Sequence, residues 1–328
     1  MAPHSSKPPF DPALEAFMAQ LSIAKEINLE IIPMIRTTLW QAHTAEIVIS
    51  GKAIKHKEIQ IPVPGGEITL SIFEPANRPD NQEPGPGIYY VHGGGFLVGN
   101  RFMGMSVVTE WVEKLNATCI SVEYRLAPEH PYPIPLNDCY AGLKWVSSHL
   151  SELGIDESRL MLAGQSAGGG LAAALALRAR DEGGPRLCAQ LLMCPMLDHR
   201  NDSVSCRQFE TEGTWSRQKN KVAWSCYLGD HGKGEGEAVD ILASPGLAIA
   251  DDLSGLPTTF IDVGSAEAFR DENIAYSSRL FEAGVQVELH VWPGGVHGFD
   301  LLMPTAEISQ RAIRTRTAWV ANILSSPE

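Results

Sequence analysis

The spacing of hydrophobic and polar positions changes along the chain. Between residues 55 and 74, two stretches alternate with a period of two around Pro64-Gly65-Gly66, which predicts an antiparallel hairpin. From residue 88 onward, short apolar runs are separated by stretches with helical spacing. Strands that alternate with helices form a mainly parallel sheet with both faces covered. The pattern therefore predicts an α/β fold with about eight strands.

The individual elements follow from the same pattern. The predicted strands are Lys55–Val63, Glu67–Glu74, Ile88–Val91, Ala117–Tyr124, Leu160–Ala163, Ala189–Cys194, Thr258–Val263 and Val287–Val291. The predicted helices between them are Ser106–Leu115, Leu136–Leu150, Ala167–Arg180, Glu272–Ala283 and Glu307–Leu324.

Two segments do not fit this alternation. Asp11 and Pro12 suit the start of a helix, and a second helical stretch runs from about residue 23 to residue 42, interrupted by Pro33. About sixty residues, from Asp198 to Leu256, separate two consecutive sheet strands and are too many for a simple crossover helix. We therefore expect N-terminal cap helices in 1–45, an inserted cap segment in 201–254 over the sheet's carboxyl edge, and an α/β domain formed by 46–200 and 255–328.

Composition narrows the class of ligand. The chain has 328 residues, of which 44 % are hydrophobic, and a formal net charge of −13. Nucleic-acid binding relies on clustered Lys and Arg, and docking on anionic lipid has the same requirement, so this charge argues against both. An acidic surface fits a neutral or apolar small-molecule substrate.

Cysteine usage and the N-terminus bear on location. The six cysteines are dispersed with no C-x-x-C pair, which is typical of reduced, mostly buried thiols. The longest apolar runs fall short of the ~18 residues that a transmembrane helix needs. The first ten residues lack the apolar core of a signal peptide. We therefore predict a cytoplasmic protein without a membrane span.

The sharpest chemical motif is Gly164–Gly168, which reads Gly-Gln-Ser-Ala-Gly. It follows a predicted strand directly and precedes an Ala-rich helix, which is the strand–turn–helix context of a nucleophilic serine. Small residues on both sides prevent clashes in the tight turn. The hydroxyl of Ser166 would then project at the positive N-terminal end of a helix.

A second motif, His92-Gly93-Gly94-Gly95, follows the predicted strand Ile88–Val91. Consecutive glycines let backbone N–H groups approach a ligand, and acyl transfer needs such donors for its oxyanion. Gly93, Gly94 and Ala167 are the predicted donors. A flexible turn or a phosphate loop are the alternatives, but the Walker Lys and a G-x-G-x-x-G pattern are absent. We expect His92 to brace the loop.

The predicted base is His297, which lies in a glycine-flanked loop after the last strand. A histidine there can take the proton of Ser166 and return it to the leaving alkoxide. The acid should follow the preceding strand, where Glu267, Asp271 and Glu272 are all possible. Asp271 suits the N-cap of the following helix. Glu267 lies closest to the strand end, and the order serine, glutamate, histidine matches a hydrolase triad.

Taken together, these motifs resemble the hormone-sensitive-lipase-like branch of the α/β hydrolases. The resemblance covers about residues 50–325 and is carried by four stretches, His92–Phe96, Glu123–His130, Gly164–Gly168 and His297–Phe299. Glu123 stands where the family has Asp. The family's acid stretch, D-P-L-R-D-E, corresponds to residues 267–272 here, which places Glu267 on the catalytic acid and leaves Asp271 as the alternative.

The resemblance implies an α/β-hydrolase fold with a helical cap, and a serine carboxylesterase for short- to medium-chain esters without cofactor or metal. Phe209, Trp215 and Trp224 would line the substrate pocket, or would form the cap's own core. Acyl transfer to another alcohol and dehydratase chemistry are the alternatives on this scaffold. An inactive receptor is a further alternative, disfavoured because Ser166 and His297 are both present. A homodimer through the last strand and C-terminal helix is also implied.

Overall fold

The computed structural model describes residues 6–20, 26–78, 83–231 and 238–325. In this part of the chain, eight strands form one sheet with the order β1-β2-β4-β3-β5-β6-β7-β8. The strands are β1 (Ile54–Val63), β2 (Gly66–Pro75), β3 (Gly85–Val91), β4 (Thr118–Glu123), β5 (Ile155–Gln165), β6 (Ala189–Met193), β7 (Thr258–Gly264) and β8 (Val287–Trp292). The predicted α/β class and strand number are confirmed.

The sheet is mainly parallel, as the sequence pattern predicts. The β1–β2 hairpin is antiparallel, with register from Ile54 opposite Pro75 to Val63 opposite Gly66, and β2 also pairs antiparallel with β4. The remaining neighbours, from β4 through β8, pair in parallel. Carboxyl ends of parallel strands meet at the same edge of a sheet. The loops that follow β3, β5, β7 and β8 therefore converge there.

The helices cover both faces of the sheet. They are α1 (Pro12–Met18), α2 (Ile32–Ala42), α3 (Ala45–Ile49), α4 (Met105–Leu115), α5 (Ile134–Ser148), α6 (Ala167–Asp181), α7 (Val204–Gln208), α8 (Arg217–Leu228), α9 (Ala250–Leu253), α10 (Arg270–Glu282), α11 (Phe299–Leu302) and α12 (Glu307–Leu324), with a 3-10 turn at Pro245–Leu247. No helix within the described ranges is long and apolar enough to cross a membrane.

Two helix boundaries differ from the prediction. The second N-terminal helix begins at Ile32, and its Pro33 occupies the first turn, where a missing N–H costs nothing. Pro33 thus starts this helix, which the sequence pattern placed from residue 23; residues 23–25 lie outside the described residues. Likewise, α10 begins at Arg270 and its N-cap is Phe269, so the predicted N-cap role of Asp271 is wrong.

The core consists of two layers divided by the sheet. Alternate β3 side chains point to opposite faces, so Ile88 and Tyr90 pack with α4 and α12, whereas Tyr89 and Val91 belong to the larger cluster that includes α5 and α6. Helix α6 lies very close to the sheet. A Cβ on its Gly168 would lie 2.2 Å from the carbonyl oxygen of Val91. A small residue there lets the helix begin immediately after the serine turn.

The segment predicted as an inserted cap contains α7, α8, α9 and the 3-10 turn. Its residues contact the loops at the carboxyl edge of the sheet: the Ser205 N–H donates to the Asp271 carboxylate at 2.7 Å, and the Thr214 hydroxyl donates to the carbonyl of His297 at 2.6 Å. The division of the chain into cap and catalytic parts stays a prediction.

Candidate active site

Ser166 occupies a strained turn between β5 and α6. Its backbone angles are φ 55° and ψ −121°, a region that residues with side chains rarely adopt. The turn is held because the Ser166 N–H donates to the carbonyl of Met193 at 2.8 Å and its own carbonyl accepts from Met196 at 2.9 Å. Backbone strain of this kind clusters at functional sites, where it aims a side chain.

The hydroxyl of Ser166 is the first member of a continuous hydrogen-bonded chain. Its Oγ lies 2.8 Å from His297 Nε2, and His297 Nδ1 lies 2.8 Å from Glu267 Oε1. The second carboxylate oxygen of Glu267 accepts from the Gly264 N–H at 3.0 Å. Glu267 is only 2 % exposed, so the bonds are shielded from water. In this network Nδ1–H donates to the carboxylate and Nε2 accepts from serine.

The alternative acid, Asp271, lies elsewhere. Its carboxylate accepts from the Ser205 N–H at 2.7 Å and from Arg270 Nε at 2.7 Å, so it ties the start of α10 to α7. The geometry therefore brings Glu267, and not Asp271, to His297.

The three predicted oxyanion donors lie around Ser166. A Cβ on Gly93 would lie 3.2 Å from Ser166 Cβ, so the glycine loop runs directly beside the serine. The loop turns at Gly94 (φ +118°), whose carbonyl accepts from the N–H groups of Leu97 and Val98. Within the described residues, the N–H groups of Gly93, Gly94 and Ala167 have no hydrogen-bond acceptor, so all three can serve an anion.

A cleft of about 200 Å³ opens at this point. The hydrophobic side chains in its wall are Met103, Trp215, Leu301 and Leu302, which join Ser166, His297 and the glycine loop. Of the three cap aromatics predicted to line a pocket, Trp215 lies in this wall. Phe209 and Trp224 do not: Phe209 packs on Phe10, and Trp224 packs on Phe96 and Tyr227, because cap residues need a core of their own.

Comparisons with known proteins agree with this geometry. The chain matches the α/β-hydrolase fold family over residues 88–301. It is 35 % identical over 242 residues to the esterase LipI of Mycobacterium tuberculosis, covering 74 % of each chain. It is 36 % identical over 243 residues to the carboxylesterase NlhH of the same organism, covering 73 % of this chain and 74 % of NlhH. The chain belongs to the hormone-sensitive-lipase-like family of α/β hydrolases.

A solved esterase structure superimposes over nearly the whole molecule. A bacterial heroin esterase has a TM-score of 0.87 and 35 % identity, covering 97 % of this chain and 98 % of its own. The family resemblance seen in the motifs is thereby confirmed, including the segments outside residues 88–301.

In this α/β hydrolase, the buried ring of His92 lies between the glycine loop and Tyr124 and supports the loop. Its Nδ1 lies 2.8 Å from the carbonyl oxygen of Gly93, and its ring stacks on Tyr124 with centroids 4.3 Å apart. The Tyr124 hydroxyl donates to the carbonyl of His92 at 2.9 Å. Burial lowers the pKa of His92 to about 4, so its ring is neutral above that pH. A neutral ring with a proton on Nδ1 donates to the Gly93 carbonyl and so fixes the orientation of that peptide group.

This support predicts a graded response to substitution of His92. We expect His92→Ala to lower kcat for a short ester by about 10- to 100-fold, less than the ~10²–10³-fold effect of removing an oxyanion donor outright, because the N–H groups remain but lose their support. His92→Asn should retain more activity, because the amide nitrogen of Asn can replace Nδ1 as donor to Gly93. Steady-state kinetics of both variants test this, with thermal unfolding as the control for folding. Equal activity of His92→Ala and the unchanged protein would contradict a bracing role.

The His297 loop is anchored by a buried ion cluster that the sequence did not reveal. Arg316 of α12 donates from Nε to Asp262 at 2.7 Å and also pairs with Asp300. Trp292 at the end of β8 donates to the same Asp262 oxygen at 2.8 Å. These bonds join β7, β8 and α12 to Asp300, three residues after His297 in the chain. No sequence motif marks Arg316, and its partner Asp262 lies 54 residues away in the sequence, so only the folded structure reveals the contact.

One group of described residues has metal-ligand geometry. Cys194 Sγ, a carboxylate oxygen of Glu267 and a ring nitrogen of His297 lie within 4.8 Å of one another. Burial raises the pKa of the Cys194 thiol well above its usual range, which disfavours the thiolate that a metal needs. The His297 and Glu267 atoms are already bonded to each other. The arrangement suits proton transfer better than metal binding.

Proposed function

We propose that the protein hydrolyses short- to medium-chain carboxylic esters by covalent catalysis, with Ser166 as nucleophile, His297 as general base and acid, and Glu267 as the orienting carboxylate. The observation that carries the proposal is the unbroken hydrogen-bonded chain from Ser166 Oγ through His297 to Glu267, with both bonds at 2.8 Å. Gly93 and Gly94 line the same cleft as Ser166 and Ala167 follows it directly, and no acceptor is found for their N–H groups among the described residues.

The assignment to an enzyme class rests on sequence similarity to named relatives. The chain is a carboxylic ester hydrolase, because the family members that it matches at 35–36 % identity over 73–74 % of its length are named esterases. The triad, the acyl-chain range and the natural ester are the finer parts of the proposal.

In the first half of the reaction, Ser166 Oγ attacks the ester carbonyl while its proton passes to His297 Nε2. The carboxylate of Glu267 stabilises the imidazolium through the Nδ1–H bond. The negative charge on the former carbonyl oxygen is accepted by the N–H groups of Gly93, Gly94 and Ala167. The tetrahedral intermediate collapses when His297 returns the proton to the alkoxide, which leaves as the alcohol.

The second half repeats the geometry with water. His297 Nε2 takes a proton from the water that attacks the acyl-enzyme, and the same backbone N–H groups stabilise the second oxyanion. Collapse breaks the bond to Ser166 Oγ, which regains its proton from His297, and the carboxylic acid leaves. Apart from the ester and the attacking water, each step uses groups of this chain.

The size and lining of the cleft support small, uncharged acyl groups. Its volume of about 200 Å³ is below the ≈300–1,000 Å³ usual for drug-sized ligands. Met103, Trp215, Leu301 and Leu302 make its wall apolar. A neutral short chain loses water on binding there, whereas a charged group would be desolvated without a partner. The homodimer and the cytoplasmic location stay predictions.

An acyl-chain series tests the proposal. With p-nitrophenyl acetate, butyrate, octanoate and palmitate, we expect kcat/KM for butyrate to exceed that for palmitate by roughly tenfold or more, since a pocket discriminates methylenes at about this scale. The measurement is release of p-nitrophenol at low substrate concentration. Absence of turnover with every ester, from a protein with a cooperative unfolding transition, would contradict the proposal. Highest activity on palmitate would contradict the chain range.

A further inference from the structure

The six-membered ring of the Trp215 indole lies against the glycine loop of the cleft. A Cβ placed on Gly95 would lie 2.4 Å from Trp215 Cη2 and 2.7 Å from Cζ2. The loop is thus in direct contact with the ring, and only a glycine allows the approach. Trp215 also forms part of the cleft wall, and the ring centroids of Trp215 and His297 are 6.4 Å apart. A change in the angle of the indole would therefore change the space beside Ser166.

Two buried amides determine that angle. The indole N–H of Trp215 donates to Asn220 Oδ1 at 3.2 Å, and Asn220 Nδ2 donates to Asn201 Oδ1 at 3.0 Å. Asn201 Nδ2 in turn donates to the carbonyl of Arg217 at 2.9 Å. Asn220 is 0 % exposed and Asn201 is 7 % exposed, so water does not compete for these bonds.

The bond from Asn201 to the Arg217 carbonyl fixes the direction of all three hydrogen bonds. A backbone carbonyl only accepts, so the Asn201 amide must point its NH2 group at Arg217 and its oxygen at Asn220. Asn220 must then point its own NH2 group at Asn201 and its oxygen at Trp215. Asn201 also has φ +53°, a left-handed conformation that Asn tolerates better than most residues. Each amide is thereby restricted to one orientation.

The backbone beside Trp215 is fastened independently. The Thr214 hydroxyl donates to the His297 carbonyl at 2.6 Å, and Lys219 Nζ donates to the Thr214 carbonyl at 3.1 Å. The main chain is therefore held to the catalytic loop, and the remaining freedom of Trp215 is rotation of its side chain. The bond to Asn220 removes that freedom.

We propose that Asn220, supported by Asn201, is a positioning residue that sets substrate size by locking Trp215 as the wall of the cleft. Asn220 is absent from the cleft lining and acts through the indole. While the indole N–H is bonded to Asn220, Trp215 excludes bulky groups from the space beside Ser166. Without this hydrogen bond, the indole can rotate and longer acyl chains fit. This inference rests on the proposed ester hydrolysis.

The primary test is Asn220→Leu, which keeps a side chain of similar size but cannot accept from the indole. The measured quantity is the ratio of kcat/KM for p-nitrophenyl octanoate to that for p-nitrophenyl acetate. We expect the ratio to rise by roughly tenfold or more, since that is the scale on which pocket size discriminates chain length. The acetate reaction should change by less than about threefold, because the triad and oxyanion donors are untouched.

A double-variant comparison separates positioning from general loosening of the fold. Trp215→Ala alone should raise the same ratio. If Asn220 acts through the indole, the Trp215→Ala/Asn220→Leu variant should have the ratio of Trp215→Ala, because residues that act on one element are non-additive. Additive effects of the two changes would overturn the proposal. So would a Trp215→Ala ratio equal to that of the unchanged protein.

Two further variants control for folding. Gln190→Met removes another buried amide, bonded to Thr259 at 2.9 Å near the start of β6 and away from the cleft, and should leave the ratio unchanged. Asn201→Gly removes the amide that supports Asn220, at a left-handed position that glycine tolerates. If Asn220→Leu does not fold, the octanoate-to-acetate ratio of Asn201→Gly replaces it as the test and should rise in the same way. If Asn220→Leu and Asn201→Gly fold and the octanoate-to-acetate ratio stays unchanged in both, the inference is overturned. If the protein without substitutions hydrolyses neither ester, the proposed function is overturned instead.

Discussion

Ser166→Ala is expected to lower kcat for p-nitrophenyl butyrate by about 10⁵-fold or more, the scale seen when a triad nucleophile is removed. The Ser166 hydroxyl is the group that His297 Nε2 contacts at 2.8 Å, whereas the Thr214 hydroxyl of the same cleft donates to the His297 carbonyl. Water can reach the carbonyl without it, but only the oxyanion donors and binding then contribute. Initial rates at saturating substrate provide the measurement.

A matched serine serves as the control. Ser277 is fully buried on α10, and its hydroxyl donates to the Asn273 carbonyl at 2.9 Å, outside the cleft. Ser277→Ala makes the same chemical change and should keep kcat within about threefold, as substitutions away from the site do. Residual activity in Ser166→Ala above about one per cent would argue for another nucleophile.

Glu267→Gln is expected to lower kcat by about 10⁴-fold, the scale associated with loss of the triad carboxylate. The Glu267 carboxylate accepts two N–H groups, from Gly264 at 3.0 Å and from His297 Nδ1 at 2.8 Å. A glutamine has one oxygen for these two donors. When that oxygen takes the Gly264 N–H, the NH2 group faces Nδ1 and favours the tautomer with the proton on Nε2. That tautomer cannot accept the proton of Ser166.

Asp271→Asn is the comparison that assigns the acid. Because the Asp271 carboxylate bonds Ser205 and Arg270, we expect its replacement to change kcat by less than about tenfold and to act mainly on stability. The measurement is kcat of both variants beside their unfolding temperatures. A larger loss of kcat in Asp271→Asn than in Glu267→Gln would move the acid role to Asp271.

Much of the fold could be predicted from apolar runs, and the reason is topological. A strand buried on both faces reads as a continuous apolar run, such as Ile88–Val91, and a crossover must lie between two such runs. Once the sheet is parallel, the ends of β3, β5, β7 and β8 share one edge. The sequence alone therefore predicts one site formed by residues 92–95, Ser166, Glu267 and His297. This holds although 131 residues separate Ser166 from its partner His297.

Side-chain neighbours across the cap could not be predicted in the same way. Phe209, Trp215 and Trp224 are aromatic residues of one segment, and sequence spacing does not separate the one beside Gly95 from the two in the cap's interior. The choice depends on long-range packing. The same holds for Asn220, whose amide bonds both Trp215 and Asn201, the latter nineteen residues away. It also holds for Pro33, which lies in the first turn of α2 because the residues before it form a turn.

Covalent labelling of the nucleophile tests the central claim most directly. An organophosphate ester such as diethyl p-nitrophenyl phosphate transfers its phosphoryl group to an activated serine and releases p-nitrophenol. Peptide mass mapping of the inactivated protein should find the diethylphosphoryl group on Ser166, with release of p-nitrophenol in proportion to the loss of esterase activity, and neither event in Ser166→Ala. A label on another residue that accompanies full inactivation, with Ser166 unmodified, would contradict Ser166 as the nucleophile.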